Sequence, residues 1–245
     1  MHNWQTRTEL LIGKQGIETL ATRHVLVAGL GGVGAYAAEQ LCRAGVGKLT
    51  IADGDTIHAS NRNRQLPALL STQGLPKAEV MESRLRDINP AVEINAIGHY
   101  LKDQSLTDVL QFPYDYVVDA IDTLAPKVYL LYQARKLGLP VVSSMGAGGK
   151  FDPLQVQAVD IDQTNHCRLA YYIRKKLHKL GVWNGITAVY SPEPVSKSAV
   201  REEHGEMNKK STVGTISYMP AVFGCICASV VIRALLDLPA SADQT

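Results

Sequence analysis

The stretch from His24 to Arg43 limits the possible folds more than any other part of this chain. It opens on a short apolar run, His24–Leu30, passes through the turn Gly31–Gly34, and continues with helical patterning over Ala35–Arg43 up to Gly45–Gly47. A strand buried on both faces, a glycine turn and a helix form the opening unit of an open parallel sheet. The same order then repeats. Strands are expected at Lys48–Ala52, Val92–Ile97, Tyr116–Ala120 and Pro140–Ser144, and helices at Lys77–Ile88, Ser105–Leu110 and Pro126–Leu137. Asn89-Pro90 stops one of these helices and Gly138 follows another. Repeated βαβα order predicts an α/β fold with a doubly wound, Rossmann-like, mostly parallel sheet.

After Met145 the pattern changes. Gln155–Ile161 and Ile186–Tyr190 read as strands, and Cys167–Leu180 as a basic amphipathic helix. Ser196–Thr212 reads as a mobile polar loop, Pro220–Leu236 as an apolar helix, and Pro239–Thr245 as a frayed tail. A C-terminal mixed α/β extension is therefore expected: core 24–150, substrate-facing extension 151–238, tail 239–245, all within one domain. The apolar run Met219–Ile232 is shorter than the roughly 20 residues that span a bilayer and contains Pro220 and Gly224. A buried core helix is expected there, with no stable membrane insertion. The N-terminus lacks the apolar stretch of a secretory signal, which points to the cytoplasm.

Gly29-Leu30-Gly31-Gly32-Val33-Gly34 satisfies G-x-G-x-x-G between strand and helix. Gly29, Gly31, Gly32 and Gly34 allow a tight turn and close approach of the backbone to a phosphate, and the helix N-terminus supplies unpaired N–H groups. Asp53 ends the second strand, 19 residues past Gly34, where a carboxylate can accept hydrogen bonds from ribose hydroxyls. An NAD-dependent oxidoreductase would look the same up to this point. The residues that follow favour a triphosphate. Asp55 leads into Ser60–Gln65 and then Pro76-Lys77, which places the cations of Arg64 and Lys77 soon after the ribose-binding strand end. Such charge is needed where negative charge builds on an attacked α-phosphate and a leaving pyrophosphate. Asp122 follows the fourth strand, and a carboxylate facing a triphosphate calls for Mg²⁺.

These segments, with Asp53-Gly54-Asp55, Ser60–Gln65, Pro76-Lys77, Asp119–Asp122 and Pro220–Gly224, together resemble the ThiF/MoeB/HesA family of ubiquitin-activating-enzyme-like adenylyltransferases. The resemblance runs from about Leu10 to Leu236 and identifies residues 1–245 as one ThiF-type adenylating domain. Lys77–Met81, Ile88–Pro90, Gly146–Gly149 and Tyr190–Glu193 are most similar to the branch that dehydrates threonylcarbamoyladenosine beside the tRNA anticodon. The resemblance implies an ATP-dependent enzyme. A carboxylate becomes an acyl-adenylate with release of pyrophosphate, and an internal nucleophile then closes a ring and expels AMP. Carried over by position, Gly31 lies at the phosphates, Asp53 on the ribose, Asn61, Arg64 and Lys77 around the phosphates, and Asp122 at Mg²⁺. A monovalent cation (K⁺ or Na⁺) is a further candidate cofactor. The expected partners are tRNA carrying threonylcarbamoyladenosine, a second copy of the chain and, as a candidate, a sulfur-transfer protein. The family also brings an N-terminal arginine from the neighbouring subunit. The aligned position here is Leu10, and Arg7, three residues earlier, is the candidate substitute.

Two readings stay open beside this one: adenylation of the C-terminus of a ubiquitin-like sulfur carrier, and NAD-dependent oxidoreduction. Many sulfur-carrier-activating relatives hold structural zinc with two C-x-x-C pairs. Cys42, Cys167, Cys225 and Cys227 form no such pair, so no structural zinc is expected. Cys167 remains a candidate thiol nucleophile. Lys+Arg is 25 against Asp+Glu 23, so any RNA-binding surface must be local. One candidate stands out. Between Gln163 and Pro192 no acidic residue occurs, while Arg168, Arg174, Lys175, Lys176 and Lys179 do, with His166, His178, Tyr171, Tyr172, Trp183 and Tyr190 interleaved. Lys209 and Lys210 are further candidates for contact with the tRNA or the reacting carboxylate.

Overall fold

The structure is a computed structural model that describes residues 4–202 and 211–238. In chain order it contains α1 (Thr6–Thr22), β1 (His24–Ala28), α2 (Gly34–Ala44), β2 (Lys48–Ala52), α3 (Lys77–Ile88), β3 (Glu93–Ile97), α4 (Asp103–Leu110) and β4 (Tyr116–Asp119). Then follow α5 (Leu124–Lys136), β5 (Val141–Ser144), β6 (Gln157–Asp160), α6 (Arg168–Lys179), β7 (Thr187–Tyr190), β8 (Val200–Glu202), β9 (Ser211–Val213) and α7 (Tyr218–Leu235). Seven strands form one sheet in the order β3-β2-β1-β4-β5-β7-β6. All neighbours pair in parallel except β6, which runs antiparallel to β7 at the edge. The expected doubly wound sheet is present, and the chain beyond Met145 extends it with two strands.

The alternation along the central strands divides the core. Val25 and Val27 of β1 face α2, α3 and α7, where they meet Leu41, Met81, Phe223 and Cys227. Leu26 and Ala28 face α4, α5 and α6, where they meet Leu106, Leu130 and Ile173. Both faces being covered explains why β1, β2 and β4 read as continuous apolar runs. Helix α7 alone among the described residues is long and apolar enough to cross a membrane. Its Met219, Phe223, Cys227, Val231 and Leu235 lie in the core, and Gly224 brings it close enough for a Cβ there to meet the Val33 carbonyl at 2.4 Å.

Two regions differ from the sequence expectation. Ser196–Thr212 is not simply a loop: β8 and β9 pair antiparallel, with Val200 opposite Val213. Its short strands lack the length that makes alternation visible. Lys209, Lys210 and the tail 239–245 lie outside the described residues. Helix α1 gave no signal in the sequence because its Leu10 and Leu11 are exposed and Gly13 (φ 73°) breaks it into two arms.

Candidate nucleotide site

The strand order reverses between β1 and β4, and the crevice at their carboxyl ends is where open α/β sheets hold ligands. The glycine loop lies there. Gly29 has φ 94°, and a Cβ on it would stand 2.7 Å from the Ala120 carbonyl oxygen. A Cβ on Gly34 would overlap the Gly29 carbonyl at 1.8 Å, so helix α2 can start this close to β1 only with glycine. Gly31 is different. The nearest atom to a Cβ there is Gln65 Nε2 at 3.7 Å, which leaves the loop open on its outer side. No side chain caps the α2 N-terminus, so its N–H groups face this opening.

Asp53 follows β2 and holds the loop in place. Its Oδ2 accepts from the Leu30 N–H at 2.7 Å and its Oδ1 from the Asp55 N–H at 2.8 Å. An ionised carboxylate still has acceptor sites to spare after two such bonds. Burial raises the Asp53 pKa, against the pull of Lys77 and the two backbone donors. Lys77, the first residue of α3, is almost fully buried. Its Nζ lies 2.8 Å from Asp55 Oδ2 and 4.0 Å from Asp53 Oδ1. Asp55 is also desolvated, but the hydrogen bonds from Lys77 and Tyr100 outweigh burial and lower its pKa. Tyr100, which the sequence reading passed over, folds across Gly54 with its hydroxyl on Asp55; that bond, then burial, pushes its pKa up to about 12. Its only sequence signal was its place just beyond a third strand end.

Arg64 donates from Nη1 to the Ser60 carbonyl at 3.0 Å and to Asn63 Oδ1 at 2.8 Å. Burial lowers its pKa, and the charge of Asp122 opposes that. The same Asp122 charge acts on Tyr100, which joins the three strand-end carboxylates into one electrostatic group. Asn61 turns its Oδ1 onto the His58 N–H at 3.0 Å, shaping the loop that carries Arg64. Under Gly31, Gln65 Oε1 is buried with no hydrogen-bond partner among the described residues, a polar atom left for a ligand.

A second missed feature lies behind Asp122. Lys127 and Asp119 are both fully buried, with Nζ and Oδ2 2.8 Å apart. Ser143 Oγ donates to Asp119 at 2.6 Å. The pair grips both polar backbone atoms of Ile121: its N–H donates to Asp119 Oδ1 at 3.1 Å, and its carbonyl accepts from Lys127 at 3.0 Å. The residue just before Asp122 is thereby fixed.

Not every expected residue comes to the site. Arg7 is exposed on α1, and Gln5 beside it abuts Gly45, at the far end of α2. Eleven residues of helix put that roughly 16 Å from the glycine loop. Within one chain the structure does not bring Arg7 to the phosphate loop. Two of the expected RNA-facing residues turn inward as well. Arg174 is spent on the Ile161 and Thr164 carbonyls at 3.3 and 2.9 Å, and Tyr190 is buried with its hydroxyl 3.3 Å from Gln157 Oε1. Cys42, Cys167 and Cys227 are buried, and only Cys225 is exposed.

A glycine loop, a carboxylate at the end of the second strand and a ring of strand-end charges define a nucleotide-binding α/β protein, and the chain belongs to the ThiF family, whose model matches residues 4–244. It is 39% identical over 238 residues to the tRNA threonylcarbamoyladenosine dehydratase of Bacillus subtilis, covering 94% of both chains. It is 33% identical to the Escherichia coli dehydratase, covering 95% of this chain and 94% of that one. The E. coli enzyme TcdA in complex with ATP superposes with a TM-score of 0.87 at 32% identity, covering 96% and 95% of the two chains. Similarity to the sulfur carrier protein adenylyltransferase of Thermus thermophilus is lower, 29% over 227 residues.

Proposed function

We propose that this chain is an ATP-dependent tRNA threonylcarbamoyladenosine dehydratase. The observation that carries the reading is its 39% identity to one such dehydratase along nearly the full length of both chains. The ATP complex of a 32% identical enzyme of that name supports ATP as the nucleotide. The chemistry of the strand-end residues fits. The amides around Gly31 and Gly32 face the phosphates, with Gly29 and Gly34 shaping the turn. Asp53 accepts from the ribose hydroxyls. Asn61, Arg64 and Lys77 surround the phosphates, with Lys77 passing from Asp55 to a phosphate oxygen as the nucleotide enters.

The threonylcarbamoyl carboxylate attacks the α-phosphorus, the bond to the bridging oxygen breaks, and pyrophosphate leaves. Arg64 and Lys77 offset the charge gathering on both sides of that bond. An internal nucleophile of the modification then attacks the activated carbonyl and AMP leaves, so that one water is lost overall. Among the described residues no group of three His, Cys, Asp or Glu is placed to hold a metal alone. The Asp122 carboxylate is a hard oxygen donor of the kind Mg²⁺ takes, one or two at a time, with phosphate oxygens and water filling the rest of its shell. Asp122 would hold it, and the ion would supply charge neutralisation at the phosphates.

The reading extends to a homodimer in which Arg7 serves the partner's phosphates, since Arg7 lies far from its own. It also treats the chain as one adenylating domain working in the cytoplasm. ATP–pyrophosphate exchange tests the whole. Exchange stimulated by tRNA carrying threonylcarbamoyladenosine is expected. Exchange stimulated only by a small protein ending in Gly-Gly would overturn the reading in favour of sulfur-carrier activation.

A further inference from the structure

Helix α6 has an outer face that solvation alone does not account for. Ala170, Ile173 and Leu177 are buried in the core. The opposite side exposes Arg168, Tyr171, Tyr172, Lys175, Lys176 and Lys179. These positions follow the spacing i, i+3, i+4, i+7, i+8, i+11, one unbroken stripe along a helix about 18 Å long. Solvated helix faces gain stability by mixing acids with bases at i, i+4. This stripe has four cations and no acid, so neighbours such as Lys175 and Lys179 repel. The tyrosines are half exposed. The Arg168 guanidinium lies 5.8 Å from the centre of the Tyr172 ring, and Tyr171 meets Tyr172 edge-on at 5.4 Å.

The surface continues past the helix. Trp183 is 60% exposed and stacks on His178 at 4.3 Å. A shallow cavity of about 260 Å³ beside it is lined by Tyr132, Arg135, Lys136, Gly181, Val182 and Asn184, adding two more cations. Of the two nearby carboxylates, Asp160 is occupied by the Gly185 N–H at 2.6 Å and the Asp162 N–H at 3.2 Å, while Asp162 is exposed in the turn before α6 and outside the stripe. At its other end α6 starts close to the nucleotide edge of the sheet. Cys167, its N-cap, is buried in the same core cluster as Met145, the residue just past the carboxyl end of β5.

We propose that this face of α6 is the docking surface for the anticodon arm of the substrate tRNA. The inference rests on the dehydratase reading for the identity of the RNA. Lys175, Lys176 and Lys179 take backbone phosphates of the stem. Tyr171 and Tyr172, nearer the nucleotide, offer ring faces to unpaired bases of the loop. The helix then aligns the stem so that the modified nucleotide reaches the strand-end site. Charge complementarity selects this occupant over a second copy of the chain, whose identical basic stripe would repel it.

The test is the triple variant Lys175→Glu, Lys176→Glu, Lys179→Glu, all solvent-facing and outside the nucleotide site. The expected result is an unchanged melting temperature and unchanged KM for ATP. KM for modified tRNA rises roughly tenfold or more with kcat at saturation retained, and the slope of log affinity against log salt falls by about 2–3. Tyr172→Ala alone should raise the same KM. An unchanged KM for tRNA in the triple variant, with the wild type active, overturns the inference, as does a change in sedimentation that marks the face as a subunit contact. Should the wild type fail to dehydrate the nucleoside, fluorescence anisotropy with the tRNA still separates the two claims. Tighter binding by wild type than by the triple variant supports the surface although the activity reading has failed, and equal binding overturns it.

Discussion

Replacing Lys127 by methionine removes one half of the fully buried pair behind the nucleotide site. In the intact protein Asp119 is bonded to Lys127 at 2.8 Å, to Ser143 at 2.6 Å and to the Ile121 N–H at 3.1 Å, with neither charge reaching solvent. Lys127→Met leaves two of those bonds and strips away the countercharge that Asp119 pairs with among the described residues. Breaking a buried pair from one side costs about 3–5 kcal/mol. For a chain of this size each kcal/mol lowers Tm by about 2–4 °C, so a drop of about 6–20 °C is expected. The double variant Asp119→Asn, Lys127→Met removes the orphaned charge while keeping the volume, and should recover most of the loss. Urea titration of the three proteins gives the free energies directly. A second consequence concerns activity. Lys127 holds the Ile121 carbonyl at 3.0 Å, and Asp122 is the next residue, so the double variant should stay folded but lose turnover. A single variant destabilised by less than about 1 kcal/mol would refute the view that this pair is a buried electrostatic unit.

Lys77→Ala leaves Asp53 and Asp55 facing the incoming triphosphate without their shared cation, and kcat/KM for ATP should fall by about 10²–10³. Steady-state kinetics checks this, and a change under fivefold would count against a phosphate role. Glu39 is held below the usual carboxylate range because, against burial, Arg84 and Arg43 bond it at 2.5 and 2.8 Å. A lowered pKa stabilises above the unfolded value of about 4.3 and is lost as pH falls through the folded one. Glu39→Gln should therefore cost about 2 kcal/mol at neutral pH and much less near pH 3. Equal penalties at both pH values in chemical denaturation would contradict that sign. Arg7→Ala and Arg64→Ala should each be inactive alone. Mixed one to one under subunit exchange, they should regain about a quarter of the wild-type rate if Arg7 acts on a partner's site.

The parallel sheet was legible because its strands are short and apolar and the helices between them end at visible stops: Gly45, Asn89-Pro90 and Gly138. Lys48–Ala52 and Lys77–Ile88 match the expected bounds, and the others shift by one or two residues. Asp53, Arg64, Lys77 and Asp122 were legible because each follows a strand end or opens a helix in the chain's own order. Lys127 was not, since a lysine in the first turns of a helix ordinarily faces solvent, and only tertiary packing buries this one. Tyr100 was hidden for a related reason: its partner Asp55 is 45 residues away. The α6 surface was legible as composition, but the sequence counted Arg174 and Tyr190 on it. The spacing of Arg174 falls beside the buried stripe of Ile173 and Leu177, and its guanidinium satisfies carbonyls instead. Helix α1 left no trace because two of its three leucines, Leu10 and Leu11, face solvent and only Leu20 enters the core.

Mass spectrometry of the nucleosides recovered from treated tRNA addresses the account at its centre. With tRNA bearing threonylcarbamoyladenosine, Mg²⁺ and ATP, the nucleoside should lose the mass of one water while ATP is converted to AMP and pyrophosphate. Without ATP, or with Arg64→Ala, the mass should stay unchanged. An unaltered nucleoside in the complete reaction, or the same loss of water without ATP, would contradict the account.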